Sequence, residues 1–530
     1  MRRLLCFLFV GLSVSAAQAE EPGEWTGWKQ PSGSTVVVPA GMSAFIYDDD
    51  VPSVEHLGNI EISAGAKVVC ANQTAHLTLT AAVRGSGEFS ISNESEPITC
   101  GVTILANNTD LVSPGCFSIW NANVAVSNEC GLGGAATAAA RVRFDAPHSG
   151  SLVFGLLDRQ TFTNSVPIRL TTPSGGNDVC WRMGSQAADE TFVQTGDVTI
   201  SAIGTGAKAL GLTGNVVFDC NIIAETGNLL LADAAVNTLV TFGERCRFSH
   251  LGGQKITVSL AGADHPVGVG MPCFVWNSSA RSEAIGALAF NAACVRMERD
   301  NPFGQPTDAG LAGLDYGSDV GPEEMYLSRL DLNGHDTAFG QFSSPHDADV
   351  TPGAADLTDY RCDVVSETPA TLTCAANGQN RREVLCFKGA ASWAHTGSGT
   401  NLLVHFQNDT AGDFIVKGGC SGLDWGATWG GTNVVVDGGT LYVGAESVTA
   451  GAFTNLDQTK LRLNNGGKVY VESGRIAFRR VWKDGKQIAA GVYSSSASPV
   501  AGSTPVDWVV GKGTVNVTRS HMGLSVFISR

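Results

Sequence analysis

Charge is scarce in this chain of 530 residues: only 16% are Asp, Glu, Lys or Arg, against the roughly 25% usual for soluble domains. Basic residues are the scarcer kind, 34 against 50 acidic, giving a formal net charge of −16. That balance argues against nucleic acid as a partner, because phosphate-backbone binding needs clustered cations. No C-x-x-C pair occurs, so zinc or iron–sulfur ligation has no support from spacing. The G-x-S-x-G, H-E-x-x-H and G-x-x-x-x-G-K-[ST] motifs and the twelve-residue EF-hand loop are likewise missing, and with them the standard nucleophile, zinc-protease, P-loop and calcium signatures. What is abundant is glycine, 64 residues, beside 43% hydrophobic residues, a composition that folds and is neither disordered nor fibrous.

The first residues read Met1-Arg2-Arg3, then an apolar stretch from Leu4 to Val14, then Ala17-Gln18-Ala19. Positive, greasy and small residues in that order predict a secretory signal peptide over 1–19, cleaved after Ala19, with an apolar run too short to span a bilayer. Beyond it no uninterrupted apolar stretch is long enough to cross a membrane, so the expected product is extracellular or on the outer cell surface, with no transmembrane segment after cleavage. Thirteen cysteines remain, from Cys70 to Cys420, an odd number scattered widely along the chain. Export favours disulfides, while cysteine's behaviour as a small hydrophobe favours buried thiols, and spacing does not choose between them.

Apolar residues recur every second position in short runs: Ile60 and Ile62, Leu77 and Leu79, Phe89 and Ile91, Val198 and Ile200, Val216 and Phe218, Leu441 and Val443, Leu461 and Leu463, Val469 and Val471, Val515 and Val517. That period places them on one face of a strand. Gly85-Ser86-Gly87, Gly438-Gly439, Asn465-Gly466-Gly467 and Gly511-Lys512-Gly513 punctuate the runs as tight corners. Short strands, near-uniform composition and few helical patterns predict an all-β, right-handed parallel β-helix (a solenoid) with long loops and a C-terminal capping hairpin; tandem β-sandwiches are the alternative. The expected divisions are 20–298 for the N-terminal part of the solenoid, 299–326 as a loop or boundary, 327–478 for the remaining solenoid and 479–530 as the cap. Arg299 to Glu324 and Ser343 to Tyr360, rich in Pro and carboxylates, read as long surface loops, and the Ala-rich Ala135 to Arg143 as a short helix. Asp484-Gly485, between Val481-Trp482 and Ile488, is a two-residue hairpin signal.

From Leu327 onward the chain resembles the autotransporter-associated β-strand repeat of exported bacterial β-helix proteins, without their membrane barrel. Leu330-Asp331-Leu332-Asn333-Gly334-His335-Asp336-Thr337-Ala338-Phe339-Gly340-Gln341-Phe342 carries the resemblance most clearly, followed by Thr368 to Thr373, Gly397 to Thr400 and Gly438 to Val443. The ending, Ala490 to Tyr493 followed by Trp508 to Val515, resembles the closing segment of such proteins. The resemblance implies inward leucines and Phe, an Asn-Gly corner and export; it names a folding signature, not a site.

Polysaccharide lyases and hydrolases also use parallel β-helices, setting carboxylates or Asp with Arg/Lys on an outward sheet. The candidate groups are Asp48-Asp49-Asp50, His346-Asp347-Ala348-Asp349, and the basic cluster Arg479-Arg480 with Lys483, each better read as a solvated turn, loop or hairpin face. Gly204-Thr205-Gly206-Ala207-Lys208 reads as a corner and not a nucleotide site, and His335 as a turn residue. Ten Trp could stack on sugars or fill the core, with Trp425 and Trp429 singled out by Gly-rich surroundings. No catalytic, cofactor or metal residue is assigned. The expected function is an exported structural or adhesive scaffold whose partners are surface glycans or other cell-surface proteins; a glycan-degrading enzyme of the same fold is the alternative.

Overall fold

The computed structural model describes residues 34–519 except 47–52, 57, 72–75, 93–100, 144–149, 156–160, 173–180, 186–188, 203–208, 234–238, 262–272, 279–283, 292, 309, 317–327, 344–360 and 456–457. Residues 1–19, expected to be a signal peptide, and Asp48–Asp50, Gly204–Lys208 and His346–Asp349 therefore lie outside the described residues. The described chain is all-β, with many short strands and parallel sheets. It divides into two units, Met1–Ala263 with Pro272–Ala280, and Asp264–Met271 with Arg281–Arg530.

In the first unit each sheet gains one strand per pass of the chain. One sheet orders Ser43–Ile46, Lys67–Ala71, Glu88–Ser92, Cys116–Trp120, Ala140–Arg143, Ile168–Thr172, Val198–Ala202, Asn221–Ala224 and Arg247–His250 in sequence, each strand parallel to the last. A second sheet takes the next strand of every pass, such as Gly101–Ile104, Asn123–Val126 and Gly150–Phe154. The pass length varies: the pass from Gly150 to its partner Trp181 is half as long again as the pass from Lys67 to its partner Glu88. The period-2 runs decide which side chains turn inward, and Ile60, Ile62, Leu77, Leu79, Phe89 and Ile91 are all buried. Inward residues on successive passes stack, as in Phe89 on Phe117 (ring centroids 5.4 Å apart) and Phe154 on Phe192 (4.2 Å, near-parallel). Each pass thus covers the apolar side of its neighbour, the arrangement that a single turn of chain cannot achieve alone.

The second unit contains a stretch of regular, short passes. Asn380, Thr400, Cys420 and Thr440 pair in register, one pass after another, at a constant interval along the chain. One such pass holds the strands Thr400–Val404, Gln407–Asn408 and Phe414–Val416, and the next holds Cys420–Asp424, Thr428–Trp429 and Asn433–Asp437. Turning three corners in so short a pass forces close backbone approaches: a Cβ on Gly397 would collide with the Ala376 carbonyl, so only glycine fits. Trp393 and Trp429 fill the interior with Phe387 and Phe414 (centroids 5.1–5.9 Å apart). Trp429 is therefore fully buried, and its Gly-rich surroundings mark tight corners and not an exposed platform.

Several expectations change. Tandem sandwiches would need antiparallel sheets; the described strand pairings are parallel except Arg480–Lys483 with Lys486–Gln487, and Gly491–Ser495 with Thr514–Val517. Ala135–Arg143 is a turn followed by strand Ala140–Arg143, where Ala140 and Val142 point in and Arg141 and Arg143 out; burying that period-2 face overrides the helix propensity of alanine. The one helix among the described residues is Ala445–Ala450, capped at its end by Gly451 at φ 82°. Within the stretch read as loop, Gly313–Tyr316 is a strand with Leu314 and Tyr316 inward. The hairpin at Asp484-Gly485 is present, with Trp482 facing Gln487 across it and φ of 47° and 78° at the two turn residues.

Candidate functional site

Strand Asn380–Glu383 sends consecutive side chains to opposite faces, and both find elaborate partners. Outward, Arg382 donates from Nε to Asp424 Oδ2 at 3.1 Å, two passes away, and its guanidinium lies 4.3 Å from the centre of the Trp425 ring. Trp425 follows Asp424 at the corner with φ 47°, and His405, one pass earlier at the equivalent corner, has φ 67°. Bulky side chains rarely adopt that left-handed backbone, which costs about 1–2 kcal/mol at each position. The two rings pack 5.3 Å apart, and Trp425 also rests on Val384, Cys386, Val404 and Phe406. Burial lowers the pKa of His405, opposed by Glu446 and Asp424. On the same outward face Tyr442 and Tyr470 stack in register, 5.2 Å apart and 7° from parallel. Burial, then Asp424 and Glu472, pushes the Tyr442 hydroxyl well above its ordinary pKa. Glu472 Oε2 accepts from the Ala445 N–H at 2.9 Å at the start of the helix.

Inward, Glu383 is fully buried with Tyr316, His395 and Asn401. Tyr316 donates its hydroxyl to Glu383 Oε2 at 2.7 Å, and Asn401 Nδ2 lies 2.7 Å from Oε1. His395 Nε2 is 3.2 Å from Asn401 Oδ1, and its Nδ1 is 3.0 Å from the Gly418 carbonyl. With the amide oriented that way both ring nitrogens must donate, which makes an imidazolium and a carboxylate joined through one asparagine. Turning the amide over lets a protonated Glu383 donate to Oδ1 and Nδ2 donate to a neutral imidazole, satisfying every group without charge. Burial raises the Glu383 pKa and lowers that of His395, so both favour the neutral arrangement. Being sealed from solvent, this relay holds the interior together and does not touch a ligand.

The residues singled out from sequence fall elsewhere. Lys483 is tied to Asp507 at 3.0 and 3.2 Å. Arg479 sits beside the cap, its carbonyl accepting from the Arg519 N–H at 3.0 Å. His335 is a turn residue after Asn333-Gly334, its Nδ1 3.2 Å from Asp300 Oδ1, while Leu330, Leu332, Phe339 and Phe342 are buried. Trp276 and Trp393 are fully buried, and Trp425 keeps a partly exposed face. Cys116, Cys130, Cys220, Cys246, Cys362, Cys374, Cys386 and Cys420 form no disulfide and are mostly buried, so they act there as small core hydrophobes. Burial, with Asp197 and Asp219, pushes the Cys220 thiol up to about 12. Among the described residues no three or more His, Cys, Asp or Glu are placed to hold a metal ion, and no helix is long and apolar enough to cross a membrane. The Arg382–Asp424 and Glu383–His395 groupings were missed because the strands that carry them meet only through register. Gly399, Gly419 and Gly439, evenly spaced, carried the register that would have joined them. Comparison with family models, with curated proteins and with solved structures gives no match for this chain.

Proposed function

We propose that the chain is an exported, non-catalytic structural or adhesive scaffold, each unit a right-handed parallel β-helix. Right-handedness follows from the strong preference of parallel strand crossovers for that hand. The observation that carries the functional reading is how the outward carboxylates are used. Glu88 sits between Lys67 and Arg141, Asp363 between Arg361 and Lys388, and Asp219, Glu225, Asp331 and Asp424 each face an arginine. All of these pairs except Arg361–Asp363 tie one pass to another, and the Arg245 hydrogen bonds hold Asp219 below its ordinary pKa against the opposing effect of burial. A carboxylate clamped by a cation braces a sheet; a general acid needs its pKa raised and a free face toward substrate.

The corner of Arg382, Trp425, Tyr442 and Tyr470 supports the adhesive half of the proposal. Flat aromatic faces beside a guanidinium–carboxylate pair suit polar rings such as surface sugars, and repeated weak contacts along stacked passes gain strength through multivalency. The resemblance to autotransporter-associated repeats supports export to the cell surface. The test is a screen of the purified protein on a polysaccharide panel for reducing-end release or unsaturated products: binding without turnover is expected, and sustained turnover of any member overturns the scaffold reading.

A further inference from the structure

Between Lys460 and Arg519 the chain has ten Lys or Arg and three carboxylates, Glu472, Asp484 and Asp507, in a protein whose net charge is −16. Strands Lys460–Asn464 and Arg480–Lys483 are parallel neighbours, pairing Lys460 with Arg480 and Arg462 with Trp482. Leu461, Leu463 and Val481 point inward, so Lys460, Arg462, Arg480 and Trp482 share the outward face. Two cations directly opposite on strands about 4.8 Å apart repel each other. Elsewhere the molecule answers such cations with a carboxylate on a nearby pass, as Glu88 does for Lys67 and Asp424 for Arg382. Among the described residues no carboxylate lies within ion-pair distance of Lys460, Arg462 or Arg480, and the buried Nε atoms of Arg479 and Arg480 have no acceptor.

We infer that this strip is a binding site for a carboxylated or sulfated polysaccharide. The uncompensated cations supply the charge complementarity, and the half-buried Trp482 beside Arg462 supplies an apolar face on which a sugar ring can lie. Duplex DNA, with one charge every ~1.7 Å of its axis, rewards a long basic track. Three cations bounded by the turn residue Asp484 and by Asp507 match a chain with sparser charge. The inference deepens the scaffold reading and rests on it only in treating the polysaccharide as ligand and not substrate.

The experiment is a titration of the full chain, at low and at physiological salt, with heparin and with polygalacturonate, alongside single-stranded DNA and phosphatidylglycerol vesicles. Binding to at least one polysaccharide, weakened by salt, is expected. The K460Q/R462Q/R480Q variant is expected to lose at least tenfold in affinity, and Trp482→Ala a further few-fold, while Arg141→Gln in the first unit changes nothing. Arg462→Gln alone, with thermal unfolding as a control, reads the same effect at smaller size should the triple variant fold poorly. Absence of polysaccharide binding by the unaltered chain, equal affinity in the variants, or a preference for DNA or vesicles overturns the inference. Cleavage of the bound polysaccharide would end the scaffold reading and leave the strip's binding role standing.

Discussion

The two units solve the same problem, how to bury polar groups inside stacked passes, in different ways. In the first unit one interior polar pair is Asn164 and Gln194, in register on neighbouring strands. Asn164 Nδ2 donates to Gln194 Oε1 at 2.8 Å, and Gln194 Nε2 donates to the carbonyls of Val166 and Gly196 at 3.0 and 2.7 Å. Neither side chain can ionise, so the ladder is indifferent to pH. The second unit also buries a neutral amide, Asn408, whose Nδ2 faces the Phe406 and Thr428 carbonyls, but it also holds the group Glu383, Asn401 and His395, two of which can carry charge. The difference teaches how Glu383 can be buried without an ion pair: a base and a reversible amide stand beside it, so every group can be satisfied without charge.

The largest expected effects test whether both interiors rely on the same packing. Phe192→Ala in the first unit and Trp393→Ala in the second should each cost about 3–5 kcal/mol in denaturant unfolding. A much smaller loss at Phe192 would mean that its variable passes, unlike the tight passes around Trp393, can collapse around the void. Next comes a reciprocal exchange. Gln194→Glu sets a carboxylate oxygen against two backbone carbonyls and should destabilise by about 2–4 kcal/mol at neutral pH, with recovery on acidification. Glu383→Gln keeps an acceptor for Tyr316 and a donor for Asn401, so its unfolding free energy should stay within about 1 kcal/mol of the parent. Equal losses in the two variants would erase the proposed distinction.

The pH dependence sharpens it further. Because burial raises the Glu383 pKa, the folded state keeps a proton that the unfolded chain releases near its ordinary value of about 4.3. Stability is therefore full below that value and declines as pH rises through the raised one. The His395 pKa is lowered, so its contribution is lost in the opposite direction, as pH falls below about 6.5. Unfolding curves measured across pH should show both slopes in the parent, and Glu383→Gln should abolish only the first. The smallest effect is at the capping hairpin: Gly485→Ala, at φ 78° with open space around it, should cost about 1 kcal/mol through backbone strain alone.

Much of the fold was legible because alternation is a local signal. Ile60 and Ile62, Leu441 and Val443, and Val469 and Val471 declared their inward face without reference to partners, and Asp484-Gly485 declared its turn. Ala135–Arg143 misled because alanine propensity is weak beside the burial of Ala140 and Val142. The helix Ala445–Ala450 is too short to show a periodicity. Of the candidate site only Trp425 was legible, from its Gly-rich surroundings; Tyr316 and Glu383 are 67 residues apart, and Arg382 and Asp424 are 42 apart. Only register brings them together, and register is a property of passes counted from one another.

That register is the claim on which the rest depends, and a crystal structure of the full chain tests it most directly. The account predicts parallel strands with Asn380, Thr400, Cys420 and Thr440 side by side, Arg382 outward against Asp424 and Glu383 inward against Asn401. Antiparallel pairing of these strands, or a register that turns Glu383 to solvent, would contradict it.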